Sequence, residues 1–314
     1  MMKQSFKNMI HYTIMEHNCE LVSSRGLLKS CTFHHPNPQS SVDNVHEYLE
    51  NDWNQKENMS IYVNSTSLST FVDIYLPKIN KKFYLVSGDA DLAVPKEVLN
   101  NNQFTTLMDN PFLICWYAQN LFAKSSEKLK HLPIGLDYHT IYQEPTHWWR
   151  MESDGEGYLP CEQEILLKKI KLKSSAFFLR NPTIYSNVHF RPDRYGQREK
   201  AVNTIPENLL KKATAHLSRS QTWERTIEHA FVLSPFGNGY DCHRSWESLC
   251  LGSIPIMMVP EFDELFEDLP VINVKSWEEI TEEFLQQKIT EFTEKEFNLD
   301  KLTLDYWVKK FTAS

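Results

Sequence analysis

Residues 231–258, FVLSPFGNGYDCHRSWESLCLGSIPIMM, set two short β-prone runs on either side of a glycine-bearing loop and one helix-length segment. A chain that alternates this way belongs in an α/β layer, where helices cover apolar strands. Phe231-Val-Leu stops at Ser234-Pro235, because proline lacks the N–H that a central strand needs. Gly237-Asn238-Gly239 then lets the backbone turn tightly and approach a ligand closely. Asp241 is placed to cap a helix over 242–251, Gly252 closes it, and Ile254-Pro-Ile-Met-Met returns as a buried strand. The chain has 9 Gly in 314 residues. Gly237, Gly239 and Gly252 all fall in this unit, which points to a site there.

A helix N-terminus carries unpaired N–H groups and partial positive charge, so it attracts anions. Arg244, in the first turn, adds a bidentate phosphate donor, and Glu247, three residues on, shares its face. Guanidinium for phosphate and carboxylate for ribose hydroxyls would suit a nucleotide. An ordinary surface ion pair on a core helix fits the same spacing. The loop is neither the dinucleotide fingerprint, since Cys242 stands where a third glycine is needed, nor a P-loop, since no Gly-Lys-Ser/Thr follows.

The run DCHRSWESLCLGSIPI resembles the C-terminal signature of exostosin-like glycosyltransferases, in which Arg and a Glu three residues later precede an Ile-Pro strand. It is similar in particular to small soluble bacterial and viral members with an Asp-Cys-His-Arg-x-x-Glu run. SSRGLLKSC, FYLVSGDAD, WYAQN and LPIGLDYH extend the resemblance upstream more weakly. The resemblance implies a GT-B fold, two Rossmann-like domains facing across a cleft, with a nucleotide sugar held by the second. Arg244 would then contact the diphosphate and Glu247 the ribose. Gly252-Ser253 stands where the family has Gly-Cys, a departure that removes no ligand group.

At 314 residues, two domains of about 150 residues are expected. The expected division is an acceptor-side domain over 1–150, a donor-binding domain over 151–300, and a terminal helix over 301–314 that packs back on the first. Hydrophobic content of 41% suffices for a sizeable core, and a formal net charge of −8 argues against a nucleic-acid partner. No run approaches the ~18 apolar residues of a membrane span, and the first residues lack an apolar signal core. Six cysteines without CxxC spacing read as reduced thiols, so a soluble cytoplasmic protein is expected.

Elsewhere, 19–23, 60–64, 82–87, 131–135 and 175–180 read as strands. Helices are expected over 43–53, 67–76, 95–101, 111–122, 161–172, 192–200, 222–230, 277–294 and 301–312, with a shorter helical pattern over 262–266. Residues 146–159 are polar and aromatic and read as the interdomain connection.

Further groups bear chemistry. Arg191, Arg194 and Arg198 cluster at a helix start and suit a phosphate, or simply a solvated basic face. Asp89-Ala-Asp91 is a DxD at a strand end. It reads as a metal site of a GT-A transferase, as a general base in a GT-B protein, or as two capping residues. His139 closes another strand end and is a third candidate base or cleft residue. Arg25 and Asn120 are cleft candidates, and Trp148-Trp149 can stack on a sugar or pack inside. His34-His35 and His147 lack metal-ligand spacing, so no zinc is expected.

The leading reading is a metal-independent, inverting glycosyltransferase that moves a sugar from a UDP- or GDP-sugar to a glycan hydroxyl, with no cofactor. Its donor set is Arg194, Arg198, Pro235, Gly237, Asn238, Gly239, Tyr240, Asp241, Arg244, Ser245 and Glu247. Its catalytic candidates are Asp89, Asp91 and His139. The rivals are a metal-dependent GT-A enzyme using Asp89 and Asp91, and a nucleotide- or glycan-binding protein without turnover.

Overall fold

A computed structural model describes residues 15–49, 56–144, 146–150, 159–188, 194–213, 215–260 and 264–312. Their apolar runs assemble two parallel sheets. The first has the order β1 (Met59–Asn64), β2 (Phe83–Gly88), β3 (Leu113–Ala118) and β4 (Leu129–His131). Ile61 pairs with Leu85, Leu85 with Trp116, and Ala118 with His131. The second has the order β6-β5-β7-β8-β9, from β5 (Asn181–Ser186), β6 (Leu210–Lys212), β7 (His229–Leu233), β8 (Ile254–Met257) and β9 (Ile272–Asn273). Every residue of β1, β7 and β8 is buried. That explains why they carry mostly apolar residues without a polar face, because strands covered on both faces need no polar side. The fold is α/β and Rossmann-like.

The helices are α1 (Ser24–Lys29), a mixed helical stretch over 65–78, α2 (Asn101–Met108), α3 (His139–Gln143), α4 (Pro160–Leu172), α5 (Gln197–Thr204), α6 (Arg219–Thr226), α7 (His243–Leu251), α8 (Glu282–Glu294) and α9 (Leu304–Phe311). No helix among the described residues is long and apolar enough to cross a membrane.

Several local expectations change. Residues 111–122 hold strand β3, not a helix; LICWYA is β-branched and aromatic and sits between two partners. The run 175–180 holds only a short 3-10 turn over Phe177–Leu179, with Phe178 and Leu179 exposed at 44% and 71%. The strand begins instead at Asn181, with Pro182 at its exposed start. Residues 95–98 form turns, and the helix starts at Asn101 behind the Asn100–Gln103 capping box. Residues 43–49 show one 3-10 turn, Val45–Glu47, and the remainder of the helix expected over 43–53, residues 50–53, lies outside the described residues. Gly196, left-handed at φ 62°, delays the helix expected over 192–200 until Gln197. No helix is assigned to 264–266, and 261–263 lie outside the described residues.

The segment 20–23 is strung between distant parts of the chain rather than lying in a sheet. Val22 N–H donates to Leu302 (2.9 Å), Leu304 N–H to Glu20 (2.8 Å) and Leu136 N–H to Val22 (2.8 Å). The Glu164 carboxylate on α4 accepts the N–H groups of Glu20 and Leu21, each at 3.0 Å. Helix α9 packs on α1, and Phe311 meets Tyr117 of β3 at 6.1 Å.

One apolar cluster lies beneath each sheet. A third joins Val22, Leu27, Tyr62 and Leu136 to Trp223, Trp246, Leu249, Trp307 and Phe311. The two sheets therefore share a core. Helices α4, α6 and α7 pack together over it. The end of α7 is closed by Gly252 at φ 74°, where Ser253 N–H reaches Ser248 (2.9 Å) and Gly252 N–H reaches Leu249 (2.9 Å). Lys171 Nζ and Arg180 Nη2, each at 3.0 Å, donate to the last carbonyl, Leu251. Two cations thus complement the negative end of the helix whose positive end faces the cleft described next.

Candidate nucleotide-binding cleft

In the order β6-β5-β7-β8, the chain leaves β5 toward one side of the sheet and β7 toward the other. Loops that diverge this way leave a crevice at the C-terminal strand ends, where open α/β sheets bind ligands. A cleft of about 630 Å³ opens there. Ser186 ends β5 and Asn187 and Val188 follow it, while Gly237, Asn238 and Gly239 follow β7; both groups line it. The first half of the chain supplies Asp91, Ile134, Trp148 and Trp149.

One end of the cleft gathers positive charge. Arg244 is half-buried, and its Nε donates to Asn187 Oδ1 at 2.9 Å. Its Nη1 is buried and meets no hydrogen-bond acceptor among the described residues. Burial, reinforced by the neighbouring Arg198 charge, lowers the Arg244 pKa from its ordinary value, yet a guanidinium stays protonated at neutral pH. Arg198 also lines the cleft, beside Gly237. The N-cap of α7 is Cys242, which makes no side-chain capping bond. Two guanidinium groups and a helix N-terminus without a side-chain cap therefore meet at one place.

The glycines of the loop act by close approach, not by left-handed backbone. A Cβ on Gly239 would lie 2.8 Å from both polar atoms of the Asn120 amide, and one on Gly237 2.9 Å from Arg198 Nη2. Asn120 in turn accepts the Asp241 N–H (3.2 Å) and donates to Ala90 (3.0 Å).

The opposite wall centres on Arg219, which the sequence reading did not single out. This buried guanidinium donates to the Asp137 carbonyl and to Gln163 Oε1 (3.2 Å), pairs with Asp137 Oδ2 (3.3 Å), and stands 3.7 Å from Glu247 Oε1. It lies over the Trp149 ring at 4.6 Å. Burial alone would raise the Asp137 carboxyl. Facing His139, Arg219 and His243, together with the Thr140 N–H, outweigh it and hold it well below the usual carboxylate range. Trp148, 45% exposed, is stacked on His147 and edged by His216 at 5.4 Å.

His243 is a second residue that the sequence reading passed over. It opens α7, is half-buried and lines the cleft. Its Nδ1 lies 2.7 Å from the Gly135 carbonyl. A carbonyl can only accept, so Nδ1 carries a proton, and in the neutral ring the lone pair lies on Nε2. The sequence placed His243 beside Arg244, but its partner lies 108 residues away and no local pattern names it.

The expected site residues divide clearly. Asp91, Arg198, Gly237, Asn238, Gly239, Asp241, Arg244 and Glu247 line the cleft, as do Trp148 and Trp149. Asp241 does so with both carboxylate oxygens engaged. Oδ2 accepts Ile134 N–H at 2.7 Å and Oδ1 accepts Trp246 Nε1–H at 2.9 Å, so it is a tie across the chain and not the helix cap. Asp89, Arg194, Pro235, Tyr240, Ser245 and His139 are not among the lining residues. Asp89 is buried against Arg25 Nη1 (2.9 Å) and accepts from Ser40 Oγ (2.8 Å). Arg194 pairs with Glu97. Tyr240 donates its hydroxyl to Leu121 (2.8 Å), and Ser245 shares a hydrogen bond with Ser234 (2.8 Å). Pro235 is buried beneath the loop, where its carbonyl faces Cys242 Sγ. His139 Nδ1 lies 3.1 Å from Asp137 Oδ1, and burial, against the pull of Asp137, lowers its pKa. Arg191 lies outside the described residues.

Among the described residues, no group of three or more His, Cys, Asp or Glu side chains is arranged to hold a metal ion. All six cysteines are free. A scan against known protein families finds no match to the chain, and a search of curated proteins also finds none.

Proposed function

We propose that this chain is a glycosyltransferase of GT-B type that uses a UDP- or GDP-linked sugar as donor and a glycan hydroxyl as acceptor. The observation that carries the reading is the buried Arg244 Nη1 without an acceptor among the described residues, beside Arg198 and the N-terminus of α7, at the switch point of the second sheet. A buried donor left unmade costs about 1–3 kcal/mol, and a diphosphate oxygen would remove that cost. Glu247, 3.7 Å from Arg219, offers carboxylate oxygens to ribose hydroxyls. The cleft volume falls within the ~300–1,000 Å³ of small-ligand sites. On this reading, residues 151–300 hold the donor, residues 1–150 present the acceptor past Asp91, Trp148 and Trp149, and residues 301–314 return to the first half. The leaving diphosphate is stabilised by Arg244, Arg198 and the helix dipole, which supply its counter-charge without a metal. The transfer inverts the anomeric carbon. The six free thiols suit a reducing, cytoplasmic setting.

The paired Asp89 and Asp91 of the rival metal-dependent scheme do not converge on this cleft, since Asp89 is held by Arg25 and Ser40. Calorimetric titration of UDP and GDP into the wild type, Arg244→Ala and Glu247→Ala tests the assignment. Each variant should fold and lose about tenfold or more in affinity, as expected for a charge-assisted hydrogen bond. Wild-type affinity in both folded variants would remove the assignment.

A further inference from the structure

Resting on the nucleotide-sugar reading above, we propose that His243 is the catalytic base of the transfer, the role for which the sequence offered Asp89, Asp91 and His139. Three observations converge on its Nε2. First, the Nδ1–H bond to Gly135 (2.7 Å) fixes both the tautomer and the ring direction, leaving a lone pair on Nε2. Second, the acceptor of that bond is itself rigid. Gly135 is left-handed at φ 65°, and a Cβ there would strike the Val22 carbonyl at 2.5 Å. Third, His243 and Arg244 line the same cleft, and His243 does so while tied through Gly135 to the first half of the chain.

The other candidates are less suited. Asp89 is consumed by Arg25 and Ser40, and His139 by its place against Asp137. Asp91 reaches the cleft but is exposed, and no hydrogen bond among the described residues orients its carboxylate. The charged and titratable groups around His243 are Asp137 and His139 from the segment after β4, Arg219 from α6, and Arg244 and Glu247 on its own helix. His139 faces it edge-on, with ring centroids 6.1 Å apart.

In the transfer, a lone pair of the acceptor hydroxyl oxygen forms the new bond to the anomeric carbon. The bond from that carbon to the diphosphate oxygen breaks, and its electron pair leaves with the diphosphate. The hydroxyl proton passes to His243 Nε2, and the imidazolium later returns it to solvent. Water in place of the glycan hydroxyl follows the same course and yields free sugar.

That hydrolysis provides an assay that needs no identified acceptor. Release of UDP or GDP from a panel of UDP- and GDP-sugars is measured for the wild type, His243→Ala and His243→Asn, alongside donor affinity by calorimetry. His243→Asn retains an N–H donor where Nδ1 stood, and so preserves the Gly135 contact while deleting Nε2. Both His243 variants should bind donor within a few-fold of wild type and turn over at least ~10²-fold more slowly, the range of general-base loss. Added imidazole should restore part of the rate to His243→Ala. Turnover that survives in His243→Asn, or a rate loss matched by an equal loss of donor affinity, overturns the assignment. Wild-type binding without turnover overturns it too, while leaving the binding site in place. A wild type that binds no nucleotide sugar removes the parent reading and this one with it.

Discussion

Asp241 Oδ2 accepts the backbone N–H of Ile134 at 2.7 Å, so the residue that leads into α7 is fastened to the opposite half of the chain. Its other oxygen holds the indole of the fully buried Trp246 at 2.9 Å. One carboxylate thereby fixes the direction of α7, the position of its first turn and the closeness of the two cleft walls. Asparagine at this position would present an NH2 group to one of two N–H donors. We predict that Asp241→Asn destabilises the protein by about 1–3 kcal/mol, the cost of an unmade buried hydrogen bond, and weakens UDP and GDP binding. Urea unfolding and calorimetry measure the two effects, and an unchanged midpoint would show that the tie carries no stability.

Gly237 and Gly239 lie two residues apart, yet they should respond differently to alanine. At Gly239 the new methyl meets the Asn120 amide, which is held by Asp241 and Ala90 and cannot easily move. At Gly237 it meets the far end of Arg198, a flexible side chain. Gly239→Ala is expected to cost about 1–3 kcal/mol, as overpacking does. Gly237→Ala should unfold close to wild type but lose nucleotide affinity as Arg198 is pushed aside. Paired thermal unfolding and UDP titration distinguish them; a greater stability loss at Gly237 would refute this account of the loop.

What the sequence disclosed was local. The 231–258 unit forms its strand, loop, helix and strand where Pro235 and Gly252 indicate, because those signals act within a few residues, whereas the expected cap Asp241 is drawn off to Ile134 and Trp246. The misread segments share a cause. LICWYA and the neighbouring apolar residues lack a decisive period, so a buried strand and a buried helix look alike until partners are known. Residues 175–180 look equally apolar, yet Phe178 and Leu179 face solvent. The site was legible in part for the same reason. Arg244 and Glu247 belong to one helix, whereas the partners that define His243 and Arg219 lie 108 and 82 residues away.

The C-terminal end of α7 has its own sensitivity. Gly252 takes φ 74°, and a Cβ there would fall on the Lys171 ammonium, displacing it from the Leu251 carbonyl. Left-handed backbone costs an L-residue about 1–2 kcal/mol, and loss of the cation adds to it. Gly252→Ala should therefore lower the thermal midpoint by several degrees. Lys171→Met tests the second part, since it keeps the stem and removes only the charge. A Gly252→Ala protein with a wild-type midpoint would argue against this closure.

Acid should loosen the cleft wall before the rest of the fold. Asp137 has its carboxyl held below the usual range, and burial lowers the His139 imidazole. Both groups bind protons more readily when unfolded, so stability rises with pH across their titrations. The contribution of His139 is complete above its unfolded pKa of about 6.5 and declines as pH falls below it; that of Asp137 is complete above about 3.9 and is lost below. Unfolding free energy should thus fall from pH 7 to pH 5, and His139→Gln should flatten that slope. Asp137→Asn should cost roughly 1–3 kcal/mol at pH 7, because buried Arg219 loses the nearer of its two carboxylate partners. The Asp137→Asn, Arg219→Met double variant should recover part of this loss. Urea unfolding between pH 4 and 8 provides the test, and a slope unaltered by His139→Gln would show that His139 does not supply it.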